Sequence, residues 1–280
     1  MSHLPEMEVL RKDLDKEVVG KRIKDATVRT ASLVGRHKNR PHFVKAVAGR
    51  KINAVRRRGT WMLIDLDDAT SLCVRLGPEG SLTRETASAE AGSQTQVVLT
   101  FTTGGALHLV DPDQAAELFV LPTAEIETNE ELAPGGIDPL AGTFTWHAFG
   151  QQLTSRKQPL KGLLLDETFI LGLGDLYADE ILWSAGLAGA RASDTLSSQE
   201  VRRLYRALFE VLYEAVKQGG TSEASSSGDH TDLFGEPGEY GTHLNVHGRA
   251  GEPCPRCRRP VTLTELPGGI HLYHCAACQT

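Results

Sequence analysis

Short apolar runs broken by turn residues dominate the first 120 positions of the chain. Trp61 to Leu66, Ser71 to Leu76, Gln96 to Thr102, Ala106 to Val110 and Leu118 to Leu121 each have the length of one strand. Their spacing and the turn residues between them predict an antiparallel sandwich or flattened barrel. Residues 5–18 break this pattern, because Val9, Leu10 and Leu14 recur at helical spacing behind Pro5, a residue favoured in a first helical turn. A polar stretch over 122–142, with Pro134-Gly135-Gly136 and Pro139, reads as a linker. Beyond it the period becomes helical, over Thr145 to Leu153, Lys161 to Leu165, Leu176 to Ala185 and Ser198 to Lys217. Residues 221–241, rich in serine, glycine and acid, read as a mobile loop. The expected fold is α+β and multidomain: a β-sandwich over 1–121, the linker, a helical domain over 143–243, and a small C-terminal module over 244–280.

Four of the five cysteines define that module. Cys254, Cys257, Cys275 and Cys278 form two C-x2-C knuckles separated by 17 residues. This is the spacing of a zinc ribbon, in which each knuckle turns two thiolates toward one tetrahedral ion. Disulfides are the competing reading, disfavoured by the clean spacing and by the lack of an export signal. Four sulfurs close the coordination shell, so the single Zn2+ expected here is structural. The gap suits a β-hairpin turning at Pro267-Gly268-Gly269. Cys73, alone in an apolar run, reads as a buried small hydrophobe.

Composition then narrows the class. The 280 residues include 30 Lys plus Arg against 36 Asp plus Glu, a formal charge of −6. That balance argues against a protein that coats nucleic acid without specificity. No apolar run reaches the length of a membrane span, and Met1 to Glu6 lacks the basic and apolar regions of a secretory signal. A cytoplasmic protein that does not engage membrane is expected. Gly172-Leu173-Gly174 lacks the third glycine of a dinucleotide loop and reads instead as a tight turn into the helix beginning near Leu176. A helix start of that kind can hold phosphate on its backbone amides.

Several stretches then fall into a known order. They are Leu4-Pro5-Glu6-Met7-Glu8, Arg57-Arg58-Gly59, Leu76-Gly77 with Gly80-Ser81-Leu82, Asp111-Pro112 and Gly136-Ile137-Asp138-Pro139-Leu140. Lys161-Gly162-Leu163-Leu164-Leu165-Asp166, Gly172 to Glu180 and Val246-His247-Gly248-Arg249 through Cys254 complete the series. In this order and spacing the chain resembles the formamidopyrimidine-DNA glycosylase / endonuclease VIII family over nearly its whole length. The resemblance implies an N-terminal β-sandwich, a helix–two-turn–helix domain and a zinc finger, with DNA in the cleft between them. It also implies base excision repair: base flipping, glycosidic cleavage and β-elimination at the abasic site.

The same alignment exposes departures. The family's N-terminal proline nucleophile and the glutamate after it fall on Ser2 and His3. Removal of Met1 would leave a Ser2 amine, roughly a tenth neutral at pH 7 and able to form an imine. His3 could move a proton, and Glu6 matches an acidic family position. The family's phosphate-facing lysine is Thr60, and its void-filling methionine is Pro78, followed by Glu79. Its arginine and phenylalanine wedges fall near Asp113 and Ala115, and its phosphate-binding asparagine is Asp175, expected to cap its own helix. The fingertip arginine is Ile270. Lys161 and Arg249, in matched stretches, remain the candidates for phosphate contact.

Three readings follow from these residues. The first is a monomeric, DNA-binding member of the family, associated with the nucleoid, weak or silent as a glycosylase, with residual abasic-site lyase action through Ser2. The second is a non-enzymatic zinc-containing scaffold for nucleic acid or a protein partner. The third is a repair glycosylase using unconventional residues.

Overall fold

The computed structural model describes residues 3–132, 135–142, 144–222 and 231–280. The chain forms two compact units, Met1–Ala133 with Gln218–Glu239, and Pro134–Lys217 with Tyr240–Thr280.

The first unit opens with helix α1 (Leu4–Val18) and contains strands β1 (Ile23–Val28), β2 (Ile52–Arg58), β3 (Trp61–Leu66), β4 (Thr70–Arg75), β5 (Ser81–Glu85), β6 (Thr95–Phe101), β7 (Ala106–Val110) and β8 (Glu117–Pro122). Helix α2 (Arg40–Val47) lies between β1 and β2. Two four-stranded sheets form, in the orders β1-β6-β7-β5 and β2-β3-β4-β8, with every pairing antiparallel. The two-residue side-chain period divides β3 between two apolar clusters. Met62 and Ile64 join the main core with Leu72, Val74, Val97, Leu99 and Leu109, whereas Trp61 and Leu63 join Cys73, Phe119, Ile126 and Leu132 on the other face. Fully burying each such aliphatic side chain contributes roughly 1.5–3 kcal/mol. Cys73 is fully buried, and burial pushes its thiol up to about 12, so it packs as a small hydrophobe and does no thiolate chemistry.

The apolar pattern missed β1, β2, β5 and α2. Three of the seven residues of strand β2 are arginine, and it carries a register shift between Ile52 and Ala54, which obscures its period. Helix α2 buries only Phe43 and Val47, and its start is set by the Asn39 side chain accepting from the His42 N–H.

The second unit holds α3 (Trp146–Ser155), α4 (Leu160–Leu164), α5 (Gly174–Ala185), α6 (Ser198–Lys217) and the hairpin β9 (Thr262–Leu266) and β10 (Ile270–His274). Helix α6 buries Val201, Leu204, Leu208, Val211, Leu212 and Ala215, the stripe expected of an amphipathic helix. It begins in a capping box: the Ser197 N–H donates to Glu200 Oε2 (2.8 Å), and the Glu200 N–H donates to Ser197 Oγ (3.4 Å). Helix α5 is buried on nearly all sides and ends at Gly186, whose φ of +68° suits a residue without Cβ. No helix is long and apolar enough to cross a membrane among the described residues.

The unit boundaries differ from those read in the sequence. The cysteine module belongs to one compact unit with the helices, because groups on α5 bind the segment that enters the module. Residues 218–239 belong to the β unit: Leu233 is fully buried in its core, and its carbonyl accepts from the Arg84 N–H. Within the loop read as mobile over 221–241, residues 223–230 lie outside the described residues.

Candidate nucleic-acid interface and metal centre

Each unit carries its own set of motif residues. In the first, Ser2 lies outside the described residues. His3 directly precedes α1 with extended backbone, and its carbonyl accepts from the Met7 N–H (3.1 Å). Glu6 faces inward at 2% exposure and accepts from the Thr221 N–H (2.8 Å). Gly220, at φ +84°, admits this approach, since a Cβ there would lie 3.0 Å from Glu6 Cγ. The carboxylate read as an acid/base therefore anchors the start of the 221–239 segment.

Thr60 occupies, with Gly59, the two-residue turn between β2 and β3 that follows from the Arg58–Trp61 pairing. Arg57 is buried and ion-paired to Glu8 (3.1 Å), with Nη1 donating to the Gly59 carbonyl (2.9 Å). Pro78 and Glu79 project from a turn closed by the Gly80 N–H donating to the Gly77 carbonyl. Asp113 and Ala115 project from a second turn, held where buried Asp111 accepts from the Ala116 N–H (2.7 Å). The turns touch: a Cβ at Gly77 would lie 2.7 Å from Asp111 Oδ1 and 3.2 Å from Ala115 Cβ. The wedge positions of the resemblance are thus neighbours at the surface and carry proline, acid and alanine.

In the second unit, Gly172 and Gly174 adopt φ of +62° and +70° and turn the chain into α5. The Gly172 N–H is taken by the Glu167 carboxylate (3.1 Å to either oxygen), whose pKa burial raises. Asp175 stands in the first turn of α5 and does not cap it, since the N-cap position is Leu173 and no side-chain cap bond forms. Its carboxylate lies 3.2 Å from Lys161 Nζ. Lys161 is fully buried and also donates to Asp179 Oδ1 and to the Asp175 carbonyl, both at 2.7 Å. Asp179, equally buried, pairs through Oδ2 with His247 Nδ1 (2.8 Å). The adjoining Glu180 receives the N–H groups of Asn245, Val246 and His247 at 2.8–3.0 Å.

Arg249 pairs with Glu252 (2.8 Å) and donates to the Leu244 and Asn245 carbonyls, bracing the same segment. Ile270 opens β10 opposite Leu266, and a Cβ at Gly162 would lie 3.7 Å from its Cδ1, so the fingertip position rests on α4 beside Lys161.

Asp179, Glu180 and His247 were not singled out in the sequence. The signal was present: two adjacent acids within an otherwise apolar helix require buried donors.

The four cysteines converge. All their sulfurs lie within 4.8 Å of one another, with Cys254–Cys278 at 3.9 Å and Cys257–Cys275 at 3.4 Å. A tetrahedron with sulfur–metal bonds of about 2.3 Å has edges of about 3.8 Å, whereas a disulfide would require about 2.05 Å. The donor set therefore fits a closed four-thiolate metal centre. The predicted turn is present, with Gly268 and Gly269 at positive φ between the paired strands. Burial acts to raise the Cys254 thiol, but the Trp183 indole N–H and the backbone N–H groups of Cys257 and Arg256 outweigh it and hold the group down near 6.

A β-sandwich unit and a helical unit bearing a four-cysteine hairpin make up the architecture of the helix–two-turn–helix, zinc-finger class of DNA glycosylases. Residues 1–118 match the formamidopyrimidine-DNA glycosylase N-terminal domain, and residues 136–227 match the formamidopyrimidine-DNA glycosylase H2TH domain. Proteins named formamidopyrimidine-DNA glycosylase from Desulfitobacterium hafniense and Salinispora arenicola are 33% and 36% identical, the alignments covering all of this chain and 100% and 96% of theirs. Lactococcus lactis Fpg in complex with DNA containing an abasic site superposes with a TM-score of 0.89 at 25% identity over the full length of both chains. The MutM (Fpg) protein of Thermus thermophilus gives 0.84 at 34% identity, covering 99% of this chain and 98% of that one. The chain belongs to the formamidopyrimidine-DNA glycosylase family.

Proposed function

We propose that this chain is a DNA-binding, base-excision-repair-related member of the family whose glycosylase step is weak or absent, acting as a cytoplasmic, nucleoid-associated monomer. The observation that carries the reading is the state of Lys161. Its ammonium is buried, ion-paired to Asp179, and faced by a second carboxylate on Asp175. An approaching phosphate meets a charge already neutralised, and the carboxylate exposed beside it repels the anion. Thr60, Pro78, Asp113 and Ile270 support the same conclusion, because none supplies the cation or wedge that the resemblance calls for, and Ser2 and His3 stand where it calls for a proline and a glutamate. The retained four-cysteine centre, taken as Zn2+, holds the hairpin and does no chemistry at the substrate.

A second reading, an active repair glycosylase with unconventional residues, is favoured by full-length identity of about a third to proteins that carry the enzyme's name.

One experiment separates them. The full chain is incubated with duplex DNA carrying 8-oxoguanine and, separately, with abasic-site duplex plus borohydride. Excision of the base at a rate comparable to the relatives overturns the proposal. No excision, with a trapped adduct that disappears when the terminal amine is blocked, assigns the residual lyase step to Ser2. No excision and no adduct, with salt-sensitive DNA binding, leaves a binding protein. Binding to structured RNA in preference to any DNA, or to neither, overturns the assignment to DNA.

A further inference from the structure

Helix α5 ends against the cysteine module, and one side chain joins the two. Trp183, 8% exposed, points its indole N–H at Cys254 Sγ (3.5 Å). Arg256, between the two cysteines of the first knuckle, lies over the same ring at 3.8 Å from its centroid. Its guanidinium also donates to the Trp183 carbonyl (2.6 Å) and the Ser184 carbonyl (3.0 Å). The last carbonyls of a helix have no donors within the helix, and an unpaired buried carbonyl is costly. Here the module supplies those donors. Besides Arg256, the Thr280 N–H donates to the Gly186 carbonyl (3.3 Å), and Gln279 Nε2 donates to the Leu187 carbonyl (3.0 Å). Four thiolates around a dication leave a dianionic centre that is half-buried, with Cys254 and Cys275 enclosed, and an N–H aimed at the enclosed Cys254 sulfur offsets charge on the side away from solvent.

We propose that Trp183 helps to hold the metal without ligating it: its N–H stabilises the Cys254 thiolate, and its ring, clamped by Arg256, makes metal occupancy and the C-terminal end of α5 one cooperative unit. This rests on the four-thiolate reading of the site. Two consequences follow. Losing the N–H while keeping an aromatic ring under Arg256 weakens the metal site. Losing the metal loosens the cap on the last turn of α5.

The test uses the full-length, zinc-loaded chain. Trp183→Phe keeps an aromatic ring for Arg256 to lie over and removes the donor together with the five-membered part of the indole. Zinc transfer from this variant to a chromogenic chelator is expected to be about 10-fold faster than from the wild type, the lower end of what losing a partner of a metal ligand costs. With Co2+ in place of zinc, the sulfur-to-cobalt charge-transfer band is expected to move to longer wavelength, because the freed thiolate is the better electron donor. A purely structural role would not move that band. Trp61→Phe and Trp146→Phe should change neither readout. An unchanged transfer rate and an unchanged band in Trp183→Phe overturn the proposal. If that variant does not fold, 15N-labelled wild-type chain decides the matter. The Trp183 indole N–H signal should move upfield when zinc is chelated, while those of Trp61 and Trp146 stay in place, and an unmoved signal overturns the proposal. Wild-type chain that takes up no metal with its cysteines reduced refutes the four-thiolate reading itself, a result distinct from either of the others.

Discussion

Replacing Lys161 by methionine isolates the interaction on which the functional reading depends. The side chain is fully buried, as is Asp179, and their charged atoms are 2.7 Å apart. At an effective dielectric constant of 20 the attraction is about 6 kcal/mol before desolvation is counted. Methionine fills a similar volume, so the loss comes mainly from stranding the Asp179 carboxylate with His247 as its remaining partner. Removing one member of a buried pair costs about 3–5 kcal/mol, and that is the expected effect of Lys161→Met on unfolding in guanidinium chloride with zinc in excess. Asp179→Asn strands the ammonium instead, partly relieved by the Asp175 carbonyl and carboxylate, and should cost about 2–4 kcal/mol. Asparagine can still accept from His247, so the double variant strands neither charge. It should therefore cost less than the sum of the singles by more than about 2 kcal/mol. Single variants that each lose less than about 1 kcal/mol, and that add, would refute the reasoning. Lys161 would then be a solvated cation available to phosphate, and the proposed function would lose its principal support.

Ser197→Ala removes one half of the α6 capping box and should lower stability by about 1 kcal/mol in thermal or denaturant unfolding. Glu200, the other half, is held down to about 2 by its bond from Arg191 and then by the Ser197 N–H and hydroxyl. A depressed carboxyl stabilises the fold above its unfolded value of about 4.3 and loses that contribution as pH falls toward 2; Glu200→Gln should flatten the stability profile in that window, and an unaltered acid limb would count against it. Gly238→Ala would drive a Cβ into the Gly220 carbonyl oxygen and set it 2.6 Å from that of Gly219. Because both are backbone atoms, a loss of about 1–3 kcal/mol is expected, and a neutral result would mean the base of the 221–239 segment is loose. Ile270→Arg combined with Asp175→Asn restores a cation and removes an anion near Lys161. Affinity for abasic-site duplex should rise, with a salt slope steeper by about 0.9 for each phosphate gained, and an unchanged slope would mean that these positions do not face DNA.

Much of the fold was legible because local patterns and tertiary contacts agree. Helix α6 runs from Ser198 to Lys217 as its apolar stripe indicates, and the cysteine spacing gives both the convergence of the thiols and the hairpin turn. Strands that read as short, nearly unbroken apolar runs, such as β3 and β7, fall at the bounds the sequence indicates, because both of their faces are buried. The rest was hidden for identifiable reasons. The arginines of β2 mask its strand character, although one of them, Arg57, is buried against Glu8. The division into units was hidden because it depends on Glu180 collecting three N–H groups from residues 245–247, a contact between segments 65 residues apart. Motif matching identified Lys161 but carried no information about its burial. Only the fold brings Asp179, 18 positions later, within 2.7 Å of the ammonium.

That burial changes how the chain's charge should be understood. A net charge of −6 says little by itself, because affinity for a polyanion depends on which cations can reach it. Around the matched stretches, Arg56 pairs with Asp65, Arg57 with Glu8, Arg58 with Glu127, Arg156 with Asp166, Lys161 with Asp179 and Arg249 with Glu252. These pairs are not equivalent. Glu127 and Glu252 are more than half exposed, so the pairs with Arg58 and Arg249 are worth at most about 1 kcal/mol and yield readily to a phosphate. Arg57 and Lys161 are enclosed with their partners: pulling Lys161 away would leave buried Asp179 with His247 at several times that cost, whereas Glu8 would keep Arg11 (2.9 Å) and the loss at Arg57 is that of its own buried contacts. A nucleic acid would therefore recruit the surface arginines and leave the two buried cations in place. Binding of that kind would be sensitive to salt, because each phosphate contact releases counterions, and insensitive to the lesion. The matched stretches make Lys161 a candidate for phosphate contact, and in this chain that cation is committed to the protein's own core.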